Sequence, residues 1–302
     1  YGGDTAILRS DESYWNAEIC DPLDLDGPCP GIYGENFYGG DLQGIISRLD
    51  YLKSLGVTAL YINPVFRSPS NHGHDTTNYQ VIDSSFGDNT LFLTLVAQAA
   101  SRQMTVIMDG VFNYTSSDSV YFDRYKRYTS GIGACESTPS NLSYYRNWYF
   151  FYDVAPGTGP CTSSNGTENG ADYLSWQGND RLPLLNSSNR EVQEQFWDTG
   201  NTTPVAPWWL STYGAYGWHL DLAGEIDPGS LSNPANLYWE GFRTAIHTVN
   251  PNAYIVGDEW GDASSWILGS EWDAASAAAW DERVAREITV VRPMKTVCEQ
   301  AS

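Results

Sequence analysis

The sequence predicts an α/β fold in which helices cover a parallel β-sheet. Continuously apolar segments of strand length alternate with amphipathic segments of helical period along the 302 residues. Hydrophobic residues make up 41% of the chain, which is typical of a globular protein. No run of about 18 apolar residues is present, so no membrane-spanning helix is predicted.

Two helix–strand units begin this pattern. The first helix is predicted between Asp41, a good N-cap residue, and Gly56, which suits the position after a helix. A buried strand follows at residues 57–64. The second unit comprises a helix at 90–102 and a strand at 104–112.

The pattern breaks between residues 115 and 174 and then resumes. This stretch is rich in Tyr, Ser, Gly and Asn, and it is too long to be a structureless loop in a compact domain, so we expect an inserted subdomain. A strand is predicted at 217–223, a helix that begins at Asn233-Pro234, and a strand at 254–259.

Acidic residues strongly outnumber basic ones. The net charge is −21 and only 16 residues are Lys or Arg, so a nucleic-acid partner is not expected. The chain also has 12 Trp and 20 Tyr residues, whose flat rings can stack on sugar faces. The alternative is that these rings simply fill a large core.

The five cysteines suggest an oxidising compartment. Cys20 and Cys29 bracket one polar loop, and Cys135 and Cys161 bracket another, so we expect two disulfides and an unpaired Cys298. The chain shows no signal peptide and begins at Tyr1, as a processed or trimmed product would. Glycosylation sequons compatible with secretion occur at Asn141, Asn165, Asn186 and Asn201.

Polar side chains stand at the carboxyl ends of the predicted strands. Asp109 and Asn113 follow one strand, and Asp258 follows another. His219 and Asp221 alternate with leucines, so both should lie on one side of their strand. In a parallel barrel this end carries the active site.

Four ordered blocks resemble the α-amylase family of glycoside hydrolases. DGVFNYTSSDSVYFDRY (109–125) resembles its first signature region, YGWHLDLAGEID (216–227) the second and IVGDEWGDASSWILGSEWDA (255–274) the third. Residues 37–79 resemble the approach to the first sugar-binding strands. The likeness is greatest to the neopullulanase, cyclomaltodextrinase and type II pullulanase group.

The resemblance implies a (β/α)8 TIM-type barrel. We expect the barrel in two parts, 1–114 and 175–302, separated by the inserted subdomain 115–174 after the third strand. The second part is incomplete, because the sequence ends after about the sixth strand, around residues 271–274. An open parallel sheet exposes its edges, so a longer polypeptide or a second chain is expected to supply the missing strands.

The resemblance also implies a retaining hydrolase that acts on α-1,4 or α-1,6 glucosidic bonds. Such enzymes use a nucleophile and a general acid, about 5–5.5 Å apart. By motif position Asp221 is the nucleophile and Asp258 the acid, with Glu259 as the acid if a bulge turns it inward.

Further positions match sugar or metal contacts of the family. His72, Asp75 and Asp109 match sugar-binding positions. Asn113 matches a position that often ligates calcium, although the chemistry itself needs no cofactor.

Four positions depart from the family pattern. His74 stands in place of Tyr, Tyr114 in place of His, His219 in place of Arg and Asp258 in place of Glu. His offers fewer donors than Arg, and Asp reaches less far than Glu by about 1 Å, which can slow a reaction about a hundredfold. The family's fourth region is absent.

Three hypotheses therefore remain. The chain is an α-glucan hydrolase, a catalytically impaired amylase-like protein that serves as a carbohydrate-binding or structural scaffold, or an unrelated barrel enzyme. For His74 and His219 a packing role is an alternative to a sugar contact, and for Asp109 and Asp221 the alternative is a solvated strand end.

Overall fold

The computed structural model describes residues 40–129, 131–138, 140–151, 161, 173–198, 200, 203–227, 229, 237–259, 261–268 and 270–276. The strands are β1 Ala59–Ile62, β2 Phe66–Arg67, β3 Asn78–Ile82, β4 Thr105–Gly110, β5 Gly217–Leu220, β6 Tyr254–Asp258 and β7 Ala274–Ser276. The α-helices are α1 Leu42–Ser54, α2 Asn89–Ser101, α3 Arg190–Phe196, α4 Val205–Tyr213, α5 Ala223–Ile226, α6 Tyr238–Val249 and α7 Ser264–Leu268.

A parallel sheet forms the centre of the described structure. Its five strands run in the order β1-β4-β5-β6-β7, and every neighbouring pair is parallel. The sheet curls into a half-barrel, which confirms the predicted fold class. The last strand lies later in the sequence than expected, at Ala274–Ser276 instead of around 271–274. Strands β2 and β3 form a separate antiparallel pair that was not predicted.

Capping residues fix where two helices begin. Asp41 accepts a hydrogen bond from the Gly44 N–H at 2.6 Å and starts α1, as predicted. Gly56 follows this helix with φ +83°, which also agrees with the prediction. Asp88 caps α2 through the Leu91 N–H at 2.7 Å.

Helix α6 begins differently from the prediction. The expected start at Asn233-Pro234 lies outside the described residues, and the described helix begins at Tyr238. Its first N–H groups, those of Tyr238 and Trp239, donate to the Asp227 carboxylate at 3.2 and 3.4 Å. The cap therefore comes from a residue distant in sequence. No helix of the described part is long and apolar enough to cross a membrane.

Four helices pack side by side in the order α1, α2, α4 and α6. The core that they share with the sheet is rich in aromatic residues. Trp209, on α4, is fully buried and donates its indole N–H to the Tyr79 carbonyl at 2.7 Å. Burial of each such ring contributes about 2–3 kcal/mol, so this layer holds the strands in position.

The segment predicted as an insert packs into the same core. Phe122, Trp148 and Tyr149 belong to the cluster that contains the sheet residues. The predicted disulfide Cys135–Cys161 is present. Other predicted features lie outside the described residues, namely the Cys20–Cys29 pair, Cys298 and the sequons at Asn165 and Asn201.

Candidate active site

The carboxyl ends of four parallel strands meet at one edge of the sheet. Asp109 on β4 pairs in register with His219 on β5, and Asp258 on β6 pairs with Ser276 on β7. Asp221 follows β5 and donates its backbone N–H to the Gly110 carbonyl at 3.1 Å. The structure therefore brings Asp109, Asp221 and Asp258 to the same edge, where parallel barrels place their active sites.

Four residues of this edge are linked by hydrogen bonds, and we call Tyr61, Asp109, His219 and Ser276 the strand-end cluster. The Tyr61 hydroxyl donates to the Asp109 carboxylate and lies 3.1 Å from His219 Nδ1. His219 Nδ1 is 3.4 Å from Asp109 Oδ1, and His219 Nε2 is 2.9 Å from Ser276 Oγ. Both ring nitrogens of His219 thus contact side chains of other strands, β1 and β4 at Nδ1 and β7 at Nε2.

The surrounding carboxylates favour the charged form of His219. Burial lowers the pKa of this imidazole, but the hydrogen bond to Asp109 and the charges of Asp109, Asp258 and Asp221 outweigh burial, so the pKa is raised. The pKa of the Tyr61 hydroxyl is also raised, first by burial and then by Asp109. Tyr61 therefore remains a hydrogen-bond donor at neutral pH.

Asp221 lies in the same electrostatic environment. Burial and the charge of Asp109 raise its pKa to about 6, Asp258 adds to this effect, and His74 and His219 oppose it. At pH 7 this carboxyl is therefore mostly ionised. The following residue, Leu222, has φ +49°, a left-handed conformation that costs about 1–2 kcal/mol in a residue other than glycine. This sharp turn ends the β5 segment and begins α5.

The two candidate acids, Asp258 and Glu259, have different surroundings. The Asp258 charge raises the pKa values of Tyr61, His219 and Asp221, so Asp258 shares their pocket. Glu259 Oε1 accepts a hydrogen bond from the Gly261 N–H at 2.9 Å. Its Oε2 packs against Gly224, since a Cβ added to Gly224 would lie only 2.1 Å from this oxygen.

A second group of predicted residues lies in the loop between β2 and β3, which we call the histidine loop (68–75). Asp75 is buried and accepts hydrogen bonds from the Ser68 hydroxyl at 2.6 Å and from the Ser70 hydroxyl. The backbone N–H of His74 donates to His72 Nδ1 at 3.2 Å.

Gly73 allows this loop to turn sharply. Its φ is +75°, and an added Cβ would lie 2.6 Å from the Pro64 carbonyl oxygen, so only glycine fits without displacement. The resulting turn places His74 close enough to Asp221 to lower the pKa of that carboxyl.

Tyr114 lies near Asp221 as well. Burial first, and then the Asp221 charge, raise the pKa of its hydroxyl. Its ring centroid is 5.8 Å from that of Trp176, whose indole N–H lies 3.4 Å from Glu225 Oε1. His74 and Tyr114 both differ from the residues of the family pattern, and both are neighbours of Asp221.

An open cleft of about 490 Å³ lies between the histidine loop, the start of the insert and residues 179–182. Most of the residues that line it have polar side chains. The lining residues are Pro69, Ser70, His72, Asp75, Ser116, Ser117, Asp118, Tyr125, Asn179, Arg181 and Leu182. Their polar groups can donate hydrogen bonds to, and accept them from, a hydroxyl-rich ligand.

Asn113 is buried, and neither its side-chain oxygen nor its nitrogen has a hydrogen-bond partner. An unsatisfied amide oxygen is a suitable calcium ligand. Elsewhere in the described ranges, Asp227, Glu240 and Glu271 lie close enough together to share an ion.

Sequence reasoning missed three residues of the site. Tyr61 lies within a predicted strand, where its alternation with buried Leu60 and Ile62 could have identified it. Trp176 is a partly buried ring in a short turn. Ser276 carried no signal, because the predicted strand ended before it.

The chain is similar to known proteins over most of its length. The α-amylase catalytic domain matches residues 8–277. The chain is 40% identical over 248 residues to an amylopullulanase of Thermoanaerobacter thermohydrosulfuricus, covering 78% of this chain and 15% of that protein. It is 35% identical over 246 residues to an intracellular maltogenic amylase of Bacillus subtilis, covering 82% of this chain and 35% of that protein.

A solved structure shows the same likeness. A debranching enzyme from Nostoc punctiforme superimposes with a TM-score of 0.65 at 34% identity, covering 79% of this chain and 43% of that one. The chain thus spans less than half the length of these relatives. Because the family match extends over most of its residues, including all the described strands, the chain belongs to the α-amylase family.

Proposed function

We propose that this chain carries the catalytic centre of a retaining α-glucan hydrolase that acts on α-1,4 or α-1,6 glucosidic bonds. The observation that carries the proposal is the meeting of Asp109, Asp221 and Asp258 at one sheet edge. The names of the relatives, amylopullulanase, maltogenic amylase and debranching enzyme, indicate the same substrate class.

In this proposal the reaction has two steps. Asp221 attacks the anomeric carbon while the bond to the leaving oxygen breaks, and the protonated Asp258 gives its proton to that oxygen. A glycosyl ester with Asp221 results. Asp258, now a carboxylate, then takes a proton from a water molecule that attacks the same carbon, and Asp221 leaves as a carboxylate.

The neighbouring groups position the sugar and balance charge. The buried Asp109 carboxylate can accept hydrogen bonds from sugar hydroxyls, while Tyr61 holds it in place. When protonated, His219 favours the ionised form of Asp221, which is the form that attacks. His72, His74, Asp75 and Tyr114 belong to the sugar-binding part of the proposal.

Secretion forms a second part of the proposal. The Cys135–Cys161 disulfide and the exposed Asn141 sequon support it. Intracellular location, as in the named Bacillus subtilis relative, is the competing outcome. Fractionation of the native cells decides between them, since a secreted chain is recovered from the medium with the disulfide intact.

A calcium ion bound through Asn113 Oδ1 forms a third part. Its role would be to order the backbone next to Asp109, with no step of the reaction passing through the metal. Elemental analysis of the purified protein tests this, with Asn113→Ala as the variant that should lose the ion. Retention of calcium by that variant would place the ion elsewhere.

The decisive experiment compares hydrolysis and binding on the same sugars. Soluble starch, pullulan and cyclodextrin are assayed for reducing ends, and maltooligosaccharide binding is measured by calorimetry. Hydrolysis that disappears in Asp221→Asn supports the proposal. Binding without hydrolysis in the wild type would instead establish a carbohydrate-binding scaffold. If the wild type neither hydrolyses nor binds these sugars, both interpretations are overturned.

A further inference from the structure

The His219 ring is held on both sides by strands that are not adjacent in sequence. On one side its Nδ1 lies beside Asp109 and the Tyr61 hydroxyl. On the other side its Nε2 lies 2.9 Å from the hydroxyl of Ser276 on β7. This side chain occupies the position where the family has a permanently charged Arg, so its orientation and charge need another source of control.

We propose that Ser276 is a positioning residue that holds the His219 ring in one orientation in both of its protonation states. The inference rests on the proposed function, because it assigns a role to Ser276 within the same site. Ser276 itself need not touch the substrate.

The argument follows from the chemistry of the two ring nitrogens. Next to the Asp109 carboxylate, Nδ1 keeps its proton even in the neutral ring, because an N–H bonded to a charged acceptor is favoured. Nε2 is then bare and accepts a hydrogen bond from the Ser276 hydroxyl. When the ring is protonated, Nε2 becomes a donor and the same hydroxyl accepts.

A hydroxyl is suited to this task because it can rotate and serve as donor or acceptor. An alanine at this position would leave Nε2 without a partner from β7. The ring could then turn about its side-chain bonds and lose the contact with Asp109.

The charge of this ring matters because three carboxylates surround it: Asp109 on β4, Asp221 at the end of β5 and Asp258 on β6. The Tyr61 hydroxyl on β1 and the Ser276 hydroxyl on β7 face it as neutral groups. Ser276 is the register partner of Asp258, so the two side chains lie on the same face of the sheet. A misplaced imidazolium would therefore disturb both carboxylates of the proposed reaction.

The test is nuclear magnetic resonance of the full chain labelled with ¹⁵N-histidine. The chain has only four histidines, so His219→Gln assigns the His219 signals directly. At a pH above the His219 pKa we expect the wild-type ring to be protonated on Nδ1 alone, with the Nε2 signal shifted by the hydrogen bond from the Ser276 hydroxyl. Ser276→Ala should give a mixture of tautomers, and Ser276→Thr should restore the wild-type signals.

Activity provides a parallel readout. Loss of one hydrogen bond should lower kcat/KM about tenfold in Ser276→Ala, with recovery in Ser276→Thr. Ser276→Cys, a weak donor and acceptor of similar size, should resemble Ser276→Ala and serves if that variant does not fold. Ser47→Ala, at an exposed serine that bonds to its own helix, is the matched control and should change neither readout.

The outcomes separate this inference from the proposed function. Unchanged His219 signals in Ser276→Ala and Ser276→Cys would overturn the role of Ser276, even in an active enzyme. Failure of the wild type to hydrolyse any glucan would overturn the proposed function, while the histidine signals would still decide the role of Ser276.

Discussion

The strand-end cluster and the histidine loop are held in place by different kinds of interaction. The cluster takes one side chain from each of four strands, β1, β4, β5 and β7, and their meeting depends on the parallel register. The histidine loop is shaped within a few residues, by serine hydroxyls on Asp75 and by the turn at Gly73. Long-range strand pairing thus holds the strand-end cluster together, whereas local hydrogen bonds shape the histidine loop.

The two regions also differ in their electrostatics. The strand-end cluster and its neighbour Asp221 are partly or fully buried among like charges, which raises the pKa of Asp221 to about 6. His72 in the histidine loop is exposed, and its ring centroid lies 5.3 Å from that of His74. Substitutions at the strand ends should therefore affect chemistry, whereas those in the loop should affect binding.

The largest effect is expected from Asp221→Asn. An amide cannot form the glycosyl ester, so hydrolysis should fall on the order of 10⁴-fold or more. The measurement is reducing-end release, together with mass spectrometry of the wild type trapped by a fluorinated glycoside. A trapped adduct on a residue other than Asp221 would refute the assigned nucleophile.

A smaller effect is expected from Asp258→Asn. Its comparison with Glu259→Gln distinguishes the two adjacent carboxyls. Loss of the acid should slow natural glucans by about 10²–10⁴-fold but spare aryl glycosides whose leaving group needs no proton. Glu259→Gln is the matched control and should change either rate less than about threefold, because its carboxylate contacts Gly261 and Gly224. The reverse pattern would make Glu259 the acid.

A third prediction concerns stability rather than rate. The Asp221 pKa is raised from 3.8 to about 6 in the folded chain, so the folded state loses stability as the pH rises through this window, by up to about 3 kcal/mol. Asp221→Asn should therefore unfold at a higher temperature than the wild type at pH 7.5. The gain should vanish at pH 4 or below. Thermal unfolding at the two pH values checks the sign, and a gain independent of pH would contradict it.

The smallest effect is expected in the histidine loop. Gly73→Ala meets the Pro64 carbonyl and a φ of +75°, so the loop should shift and KM should rise several-fold with little change in kcat. Gly56→Ala is the matched control, since its φ of +83° is similar but nothing lies within 4 Å of an added Cβ. It should lower stability without changing KM. Equal effects of both variants on KM would show that backbone strain alone matters.

Departures from the predicted elements have a common physical cause. Helix α6 is capped by Asp227, eleven residues before Tyr238, so no local cap marks its beginning. The last strand begins at Ala274, because pairing with β6 defines it rather than its own composition. In both cases the partner is remote in sequence.

The sequence by itself determined the alternation of helices and strands, the disulfide Cys135–Cys161 and the strand-end positions of Asp109, Asp221 and Asp258. These features depend on periodicities of 3.6 and 2 residues, and on short loops, which are local properties of the chain. Only the tertiary structure decided that Tyr61 and Ser276 hold His219, and that Asp258 shares the pocket while Glu259 packs against Gly224. Those contacts join residues up to 158 positions apart, and strand register rather than local sequence sets them.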